Sequence, residues 1–304
     1  MAILLNTLLM IVVALSITGV INRTRALLAG RKGLPFLQHI YNVRLLLRKG
    51  SVYSSTTSAL FRIAPTIYLA AAIVAMLMIP VADLYPLISF EGDVICLAYT
   101  LALSRVMIIL AAMDTGSSFE GMGAAREALY GALIEPALMI GFATLAMFCG
   151  YTSLADIFEH EQTFDLHYTL VMFLTASLFV KVTFVEAGRV PVDDPRTHLE
   201  LTMIHEVMCL DYSGVDLAMI QIAGWLKTAC FSMIAANAIA ATCCFHWWFV
   251  VPLAILLTGV SVGVVESTQA RNKLQRNTTF IVTVSALAAL IFFIGYLLQL
   301  NINI

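Results

Sequence analysis

Residues 279–299 read TFIVTVSALAALIFFIGYLLQ, without a Lys, Arg, Asp or Glu. A helix of about 20 apolar residues crosses the roughly 30 Å hydrocarbon core of a bilayer, so this run predicts a membrane span. Seven more runs of the same kind predict spans at roughly 2–22, 64–82, 94–113, 128–150, 167–185, 217–241 and 247–265. The first begins at Met1 without a basic n-region or a small-residue cleavage site, and is read as a retained span. The remaining composition agrees. Of 304 residues, 61% are hydrophobic and 12% charged, and the net charge is −2. That is too little polar surface to cover a soluble fold of this size. Disorder is excluded, as is nucleic-acid binding through a basic face. The cysteines lie in apolar runs without CxxC spacing, so no disulfide framework is expected. The expected class is an all-α integral membrane protein, a bundle of eight transmembrane helices forming one polytopic unit over residues 1–304.

Orientation follows from the charges between the spans. Lys and Arg gather after spans 1, 3, 5 and 7, whereas the segments after spans 2, 4 and 6 have none and carry Asp83, Glu91, Asp93, Asp156, Glu159, Glu161 and Asp165 instead. The positive-inside rule then predicts cytoplasmic basic segments and both termini outside. Residues 23–63 and 186–216 are longer than plain connections need, which marks them as functional. In the first, Arg31, Lys32 and Arg44 face either a docked partner or lipid phosphates.

Charged groups inside spans are costly and mark function. Arg105, Glu135, Lys181 and Lys227 fall within spans, and Asp114, Arg126, Glu127, Glu186 and Glu266 lie at span ends. Counting along each helix, Arg105, Glu135 and Lys227 sit about 12–15 Å from the basic end. One buried cluster is therefore expected, serving either as a proton or ion path or as static pairing. Glu127 and Glu135 point about 80° apart around their helix, so water is expected to join them. Pro136 follows Glu135 and removes a backbone hydrogen bond beside that carboxylate.

Residues 186–214 read EAGRVPVDDPRTHLELTMIHEVMCLDYSG. An extended piece is expected between Pro191 and Pro195, then a helix with Asp194 as N-cap and a stop at Gly214. On that helix, Leu199, Met203 and Val207 form an apolar stripe, and His198 and His205 share a face. His205-Glu206 lacks the second histidine of HExxH, and no metal site is expected. No phosphate loop or nucleophile elbow occurs, so the chain has no self-contained active site.

This segment resembles the region after the fifth helix in the membrane subunit common to respiratory complex I (its subunit 1 family) and membrane-bound nickel–iron hydrogenases. The shared pattern runs E-x-x-R/K-x-P-x-D, a carboxylate-rich helix, then a Y/H-S-G end. Glu186, Arg189, Pro191, Asp193, Glu200, Glu206, Asp211, Tyr212, Ser213 and Gly214 carry the match. The stretch MDTGSSFEGMGAAREALYGALIEP at 113–136 resembles the formate hydrogenlyase and hydrogenase-4 branch through Asp114, Gly116, Phe119, Gly123, Arg126, Glu127, Glu135 and Pro136. RKGLP at 31–35, with Gln38, stands near an arginine–glycine–proline loop of that family. Val192, Asp194-Pro195 and Leu34 depart from the pattern.

The resemblance implies a non-catalytic subunit in the inner membrane of a prokaryote, at the joint of an L-shaped oxidoreductase complex. Segments 23–63, 114–127 and 186–216 would form the docking face, with Arg31, Lys32, Gln38, Arg44, Asp194, His198, His205, Asp211 and Tyr212. Implied partners are hydrogenase-like large and small subunits, iron–sulfur subunits and antiporter-like membrane subunits. Nickel–iron and iron–sulfur centres would lie in those partners and none in this chain. The implied proton or sodium path comprises Arg105, Asp114, Arg126, Glu127, Glu135, Lys181, Glu186, Arg189, Asp193, Glu200, Glu206 and Lys227. A passive anchor for the redox arm and a solo secondary transporter are the competing readings.

Overall fold

A computed structural model describes residues 1–159, 166–193, 203–242, 247–269 and 274–300. Its helices are α1 (Ala2–Leu28), α2 (Gln38–Leu46), α3 (Ala59–Leu77), α4 (Asp93–Asp114), α5 (Ser118–Cys149), α6 (Leu154–Glu159), α7 (Leu166–Glu186), α8 (Gly214–Ala240), α9 (Trp247–Thr268) and α10 (Leu274–Gln299). Eight are long and apolar enough to span a bilayer, all but α2 and α6. Among the described residues there is no strand. Over the described residues the fold is all-helical with eight helices able to span a bilayer, as expected.

The most enclosed helix is α8, which packs against α1, α3, α7 and α9. Its run of Ala, Ser, Gly and Cys side chains suits that position, because small residues let neighbouring helices approach closely. Outside it, α4 lies between α3 and α5, and α10 packs on α5 and α7. With 32 residues, α5 is about 48 Å long and outreaches the hydrocarbon core. Most of the segment 114–127, expected as a loop, is therefore the first turns of α5.

Hydropathy carries span 2 to residue 82, but α3 ends at Leu77 and residues 79–82 are buried non-helical backbone. Unpaired backbone is costly inside a membrane, and two asparagines remove that cost. Asn6 donates to the Ile79 carbonyl (3.2 Å) and accepts the Val81 N–H (2.8 Å). Asn237 donates to the Pro80 carbonyl (2.7 Å) and accepts the Ala82 N–H (3.2 Å). The extended piece expected between Pro191 and Pro195 is described only as far as Asp193. That described part is a tight turn rather than extended, with the Val192 and Asp193 N–H groups both on the Arg189 carbonyl (3.0 and 3.2 Å).

Residues 203–213 are not the end of a regular helix either; they hold one 3₁₀ turn at Val207–Cys209. Asp193 explains the start of this segment, since its Oδ2 accepts the N–H groups of Ile204 and His205, each at 3.1 Å. Gly214 opens α8 behind Ser213 instead of stopping a helix. Asp194, His198 and Glu200, the expected N-cap at Asp194 and the stripe residue Leu199 lie outside the described residues.

Candidate functional site

Arg105 projects from the middle of α4 into the bundle. Its Nη1 donates to Glu135 Oε1 at 2.6 Å, its Nε lies 3.2 Å from Glu127 Oε1, and its Nη2 donates to Glu186 Oε1. A guanidinium is planar, permanently charged and presents five donors, so it alone can hold three carboxylates from α5 and α7. Gly131 makes the crossing possible. It lies on α5 one turn from each of Glu127 and Glu135, and a Cβ there would stand 2.9 Å from Arg105 Cδ and Nη1. Glu127 and Glu135, which do not touch each other directly, are thus both held by one guanidinium.

The contacts continue toward the end of the bundle that carries the basic segments. Glu127 Oε2 lies 3.3 Å from His205 Nε2, and His205 Nδ1 lies 3.6 Å from Asp193 Oδ2. Burial disfavours the imidazolium, but Glu127, Asp193 and Glu186 outweigh it, and the His205 pKa is pushed up to about 9. Gly188 lets the ring sit so close: its φ is +56°, and a Cβ there would meet His205 Nδ1 at 2.8 Å. His205, expected at the docking face, belongs to the charge cluster.

Lys227 of α8 completes the cluster without an ion pair to any described residue. Its Nζ sits 4.6 Å from the ring centroid of Tyr68 on α3, a cation–π contact. A cavity of about 60 Å³ is lined by Tyr68, Arg105, Glu127, Glu186, His205 and Lys227. That is room for about two waters. A larger cavity of about 510 Å³ also reaches Glu186 and His205, and extends past Arg189, Asp193 and Glu206 to Trp225. At the opposite edge, Glu135 has 41% of its side chain exposed, against 4% for Glu186.

The remaining candidates are dispersed. Arg189 pairs with Glu266 at 3.2 Å, and Arg25 approaches the other oxygen of the same carboxylate at 3.5 Å. Arg126 donates to the Met203 carbonyl at 3.0 Å. Asp114 accepts the Ser58 N–H at 2.7 Å, beside the start of α3. Lys181 makes no ion pair with a described residue, and Glu206 is exposed. Arg31, Lys32 and Arg44 are exposed, Gln38 is half-buried, and Asp211 is exposed while its N–H bonds Glu120 Oε1 at 3.0 Å. Tyr212, expected at an interface, is instead buried: its ring stacks on Phe61 at 4.0 Å and its hydroxyl donates to the Phe61 carbonyl at 2.9 Å.

Three contributors escape a reading of the sequence alone. Glu120 carries a signal, since it is a carboxylate inside a matched motif near a span end. Gly131 and Tyr68 carry none, because a single glycine or tyrosine in an apolar run looks like ordinary packing. Glu266 stands out as a span-end charge, but only the structure pairs it with two arginines.

Eight membrane-competent helices closed around an arginine with three carboxylates define a multi-pass membrane protein with an internal ionic cluster. The chain belongs to the family described as NADH dehydrogenase, which matches residues 1–298. It is 28% identical to hydrogenase-4 component C of Escherichia coli over 84% of this chain and 83% of that one. It is 29% identical to formate hydrogenlyase subunit 4 of the same organism, over 69% and 68%. An NADH-quinone oxidoreductase chain of Brevibacillus brevis is 27% identical over 64% and 56%. Among solved structures, a chain of the membrane-bound sulfane sulfur reductase, an archaeal respiratory membrane complex, shares the fold with a TM-score of 0.79. That match has 20% identity and covers 97% of this chain and 100% of that one. The resemblance found in the sequence is borne out: the chain is a multi-pass membrane protein of this family, similar to hydrogenase-4 component C and formate hydrogenlyase subunit 4.

Proposed function

We propose that this chain couples electron transfer in a peripheral, hydrogenase-like arm to proton or sodium movement through the membrane. The carrying observation is Arg105, buried in the bundle and shared by Glu127, Glu135 and Glu186. Buried ion pairs contribute little net stability and often cost some, so several of them in one bundle favour a functional reading. The cluster opens in two directions. The large cavity leads from Glu186 toward the basic end, and the partly exposed Glu135 sits near the middle of α5, facing outward.

In this reading the basic end is cytoplasmic, both termini lie outside, and the membrane is the inner membrane of a prokaryote. Segments 23–63 and 186–216, with the turn before α5, dock large, small and iron–sulfur subunits that carry the metal centres. Glu135 meets an adjoining antiporter-like subunit, because a half-exposed carboxylate at that depth would be costly against lipid. A redox event at the docking face would shift the turn holding Asp193 and His205, and so the protonation of Glu127 and Glu186 behind it.

The test begins with a tagged chain purified in mild detergent, its co-purifying subunits identified and nickel and iron assayed together. Stoichiometric nickel with a hydrogenase-like large subunit supports an energy-converting hydrogenase. Iron without nickel points to a relative with another donor or acceptor. Recovery of the chain alone under several gentle conditions would overturn the coupling role.

A further inference from the structure

We infer that the cavity between the end of α1 and the start of α2 is a binding site for the phosphodiester headgroup of an anionic phospholipid. The cavity measures about 480 Å³. Arg25 and Glu266 form its inner wall, Arg31 its rim, and Gln38, Asn42 and Ser267 its polar sides. Arg25 and Arg189 both approach Glu266, whose side chain is fully enclosed. One carboxylate therefore answers two guanidinium groups, and Arg31 adds a further positive charge that is exposed. Gln38 Nε2 donates to Asn42 Oδ1 at 3.1 Å, which orients the two amides side by side and leaves the Asn42 N–H groups for an incoming oxygen. Two cations with amide donors suit a singly charged phosphodiester, which accepts charge-assisted hydrogen bonds on both free oxygens.

The depth of the site selects a lipid over a soluble anion. The chain beyond α1 turns back along that helix. Phe36 packs at Gly19, where a Cβ would stand 2.7 Å from the Phe36 carbonyl oxygen, and His39 Nε2 bonds the Leu15 carbonyl at 2.9 Å. Gly19 and Leu15 lie about 14 and 20 Å back from the end of α1. The segment entering α2 thus runs beside the spanning part of α1. Leu34, Phe36 and Leu37 are exposed there, and Tyr41 and Leu45 continue that apolar surface along α2. A short helix with this surface at such a level lies in the interfacial zone. Acyl chains would cover those side chains while the phosphate enters among Arg25, Arg31 and Asn42. Arg31, which the sequence leaves divided between a docked partner and lipid, is assigned to lipid, and so is Gln38, which the resemblance placed on the docking face.

The test uses the purified complex, in nanodiscs of phosphatidylglycerol or of phosphatidylcholine, with native mass spectrometry after release. Arg31→Glu is the main variant, because the Arg31 side chain makes no hydrogen bond or ion pair with a described residue; Asn42→Leu is the second. Expected for wild type are a retained phosphatidylglycerol adduct, a higher melting temperature in phosphatidylglycerol, and no displacement by millimolar inorganic phosphate. Each variant should lower adduct occupancy by about fivefold or more and lose the lipid-dependent shift. Unchanged adducts in both variants would overturn the site. Displacement by inorganic phosphate would replace the lipid with a free anion. Loss of co-purifying peripheral chains with the adduct intact would reassign Arg31 to a protein contact. Failure of the coupling role would leave this lipid readout unmoved.

Discussion

The Arg105 side chain crosses α5 at Gly131, with room for a hydrogen and no more. From that crossing its nitrogens reach Glu127 one turn to one side and Glu135 one turn to the other. Gly131→Ala should push the guanidinium off the helix surface. Overpacking of this kind costs about 1–3 kcal/mol, seen as a lower melting temperature in detergent, and ion movement should fall with it. Arg105→Lys should lose ion movement as well, because an ammonium is a point charge that cannot hold three separated carboxylates. Normal melting and transport in Gly131→Ala would show that the crossing constrains nothing.

Neutral amides at the carboxylates separate coupling from anchoring. Glu186→Gln keeps shape and most hydrogen bonding but cannot carry a proton, so the complex should assemble while ion movement in proteoliposomes falls by about 100-fold. Glu135→Gln should have the same transport effect with less change in stability, since its side chain is already partly exposed. Wild-type transport in both variants would establish the passive anchor.

Span number and the identities of Arg105, Glu127, Glu135 and Glu186 are legible in the sequence because membrane helices must be long and apolar, and charges within them stand out. Tertiary consequences are not. Nothing near residues 203–210 announces that Asp193, ten or more positions earlier, will accept two of their N–H groups and replace a helix by a turn. Nor does the end of span 2 announce Asn6 and Asn237, which satisfy unwound backbone from other helices. His205 reads as a surface group only on a helical face that the described part of this segment does not form. The start of α5 is hidden for another reason: hydropathy marks where lipid stops, while the helix continues into the polar zone.

His205 gives the protein a pH-dependent element outside the spans. Its folded pKa of about 9 exceeds the ordinary histidine value of 6.5, so the fold favours the charged form. The resulting stabilisation is complete below about pH 6.5, and is lost as pH rises through 9. His205→Gln should therefore lower the melting temperature at pH 6 and leave it nearly unchanged at pH 10. An equal loss at both values would mean that packing, not charge, holds the ring.

Tyr212 tests whether a residue expected at the docking face acts through packing. Tyr212→Phe keeps the stack on Phe61 and removes only the hydroxyl's bond to the Phe61 carbonyl, costing about 1 kcal/mol. Tyr212→Ala also removes the stack and should cost about 3–5 kcal/mol. Peripheral subunits should still co-purify with the Phe variant. Their loss from a stably folded Tyr212→Phe protein would place the hydroxyl in the interface.

Lys227 and Tyr68 make the sharpest distinction between a relay and a static cluster. The ammonium lies over the Tyr68 ring, and both residues line the small cavity shared with Glu186. A lysine kept only for pairing would be expected in direct contact with a carboxylate, whereas in the proposed relay this one would exchange a proton through water in that cavity. Tyr68→Phe retains the ring face and should transport like wild type. Tyr68→Leu removes the cation–π contact, worth about 2 kcal/mol when desolvated, and should slow ion movement while the complex still assembles. Lys227→Met should abolish ion movement in proteoliposomes, and Lys227→Arg should not restore it, because a guanidinium retains the charge but does not release its proton. Full transport by the arginine variant would identify Lys227 as a fixed charge and make the cluster a static one at that position.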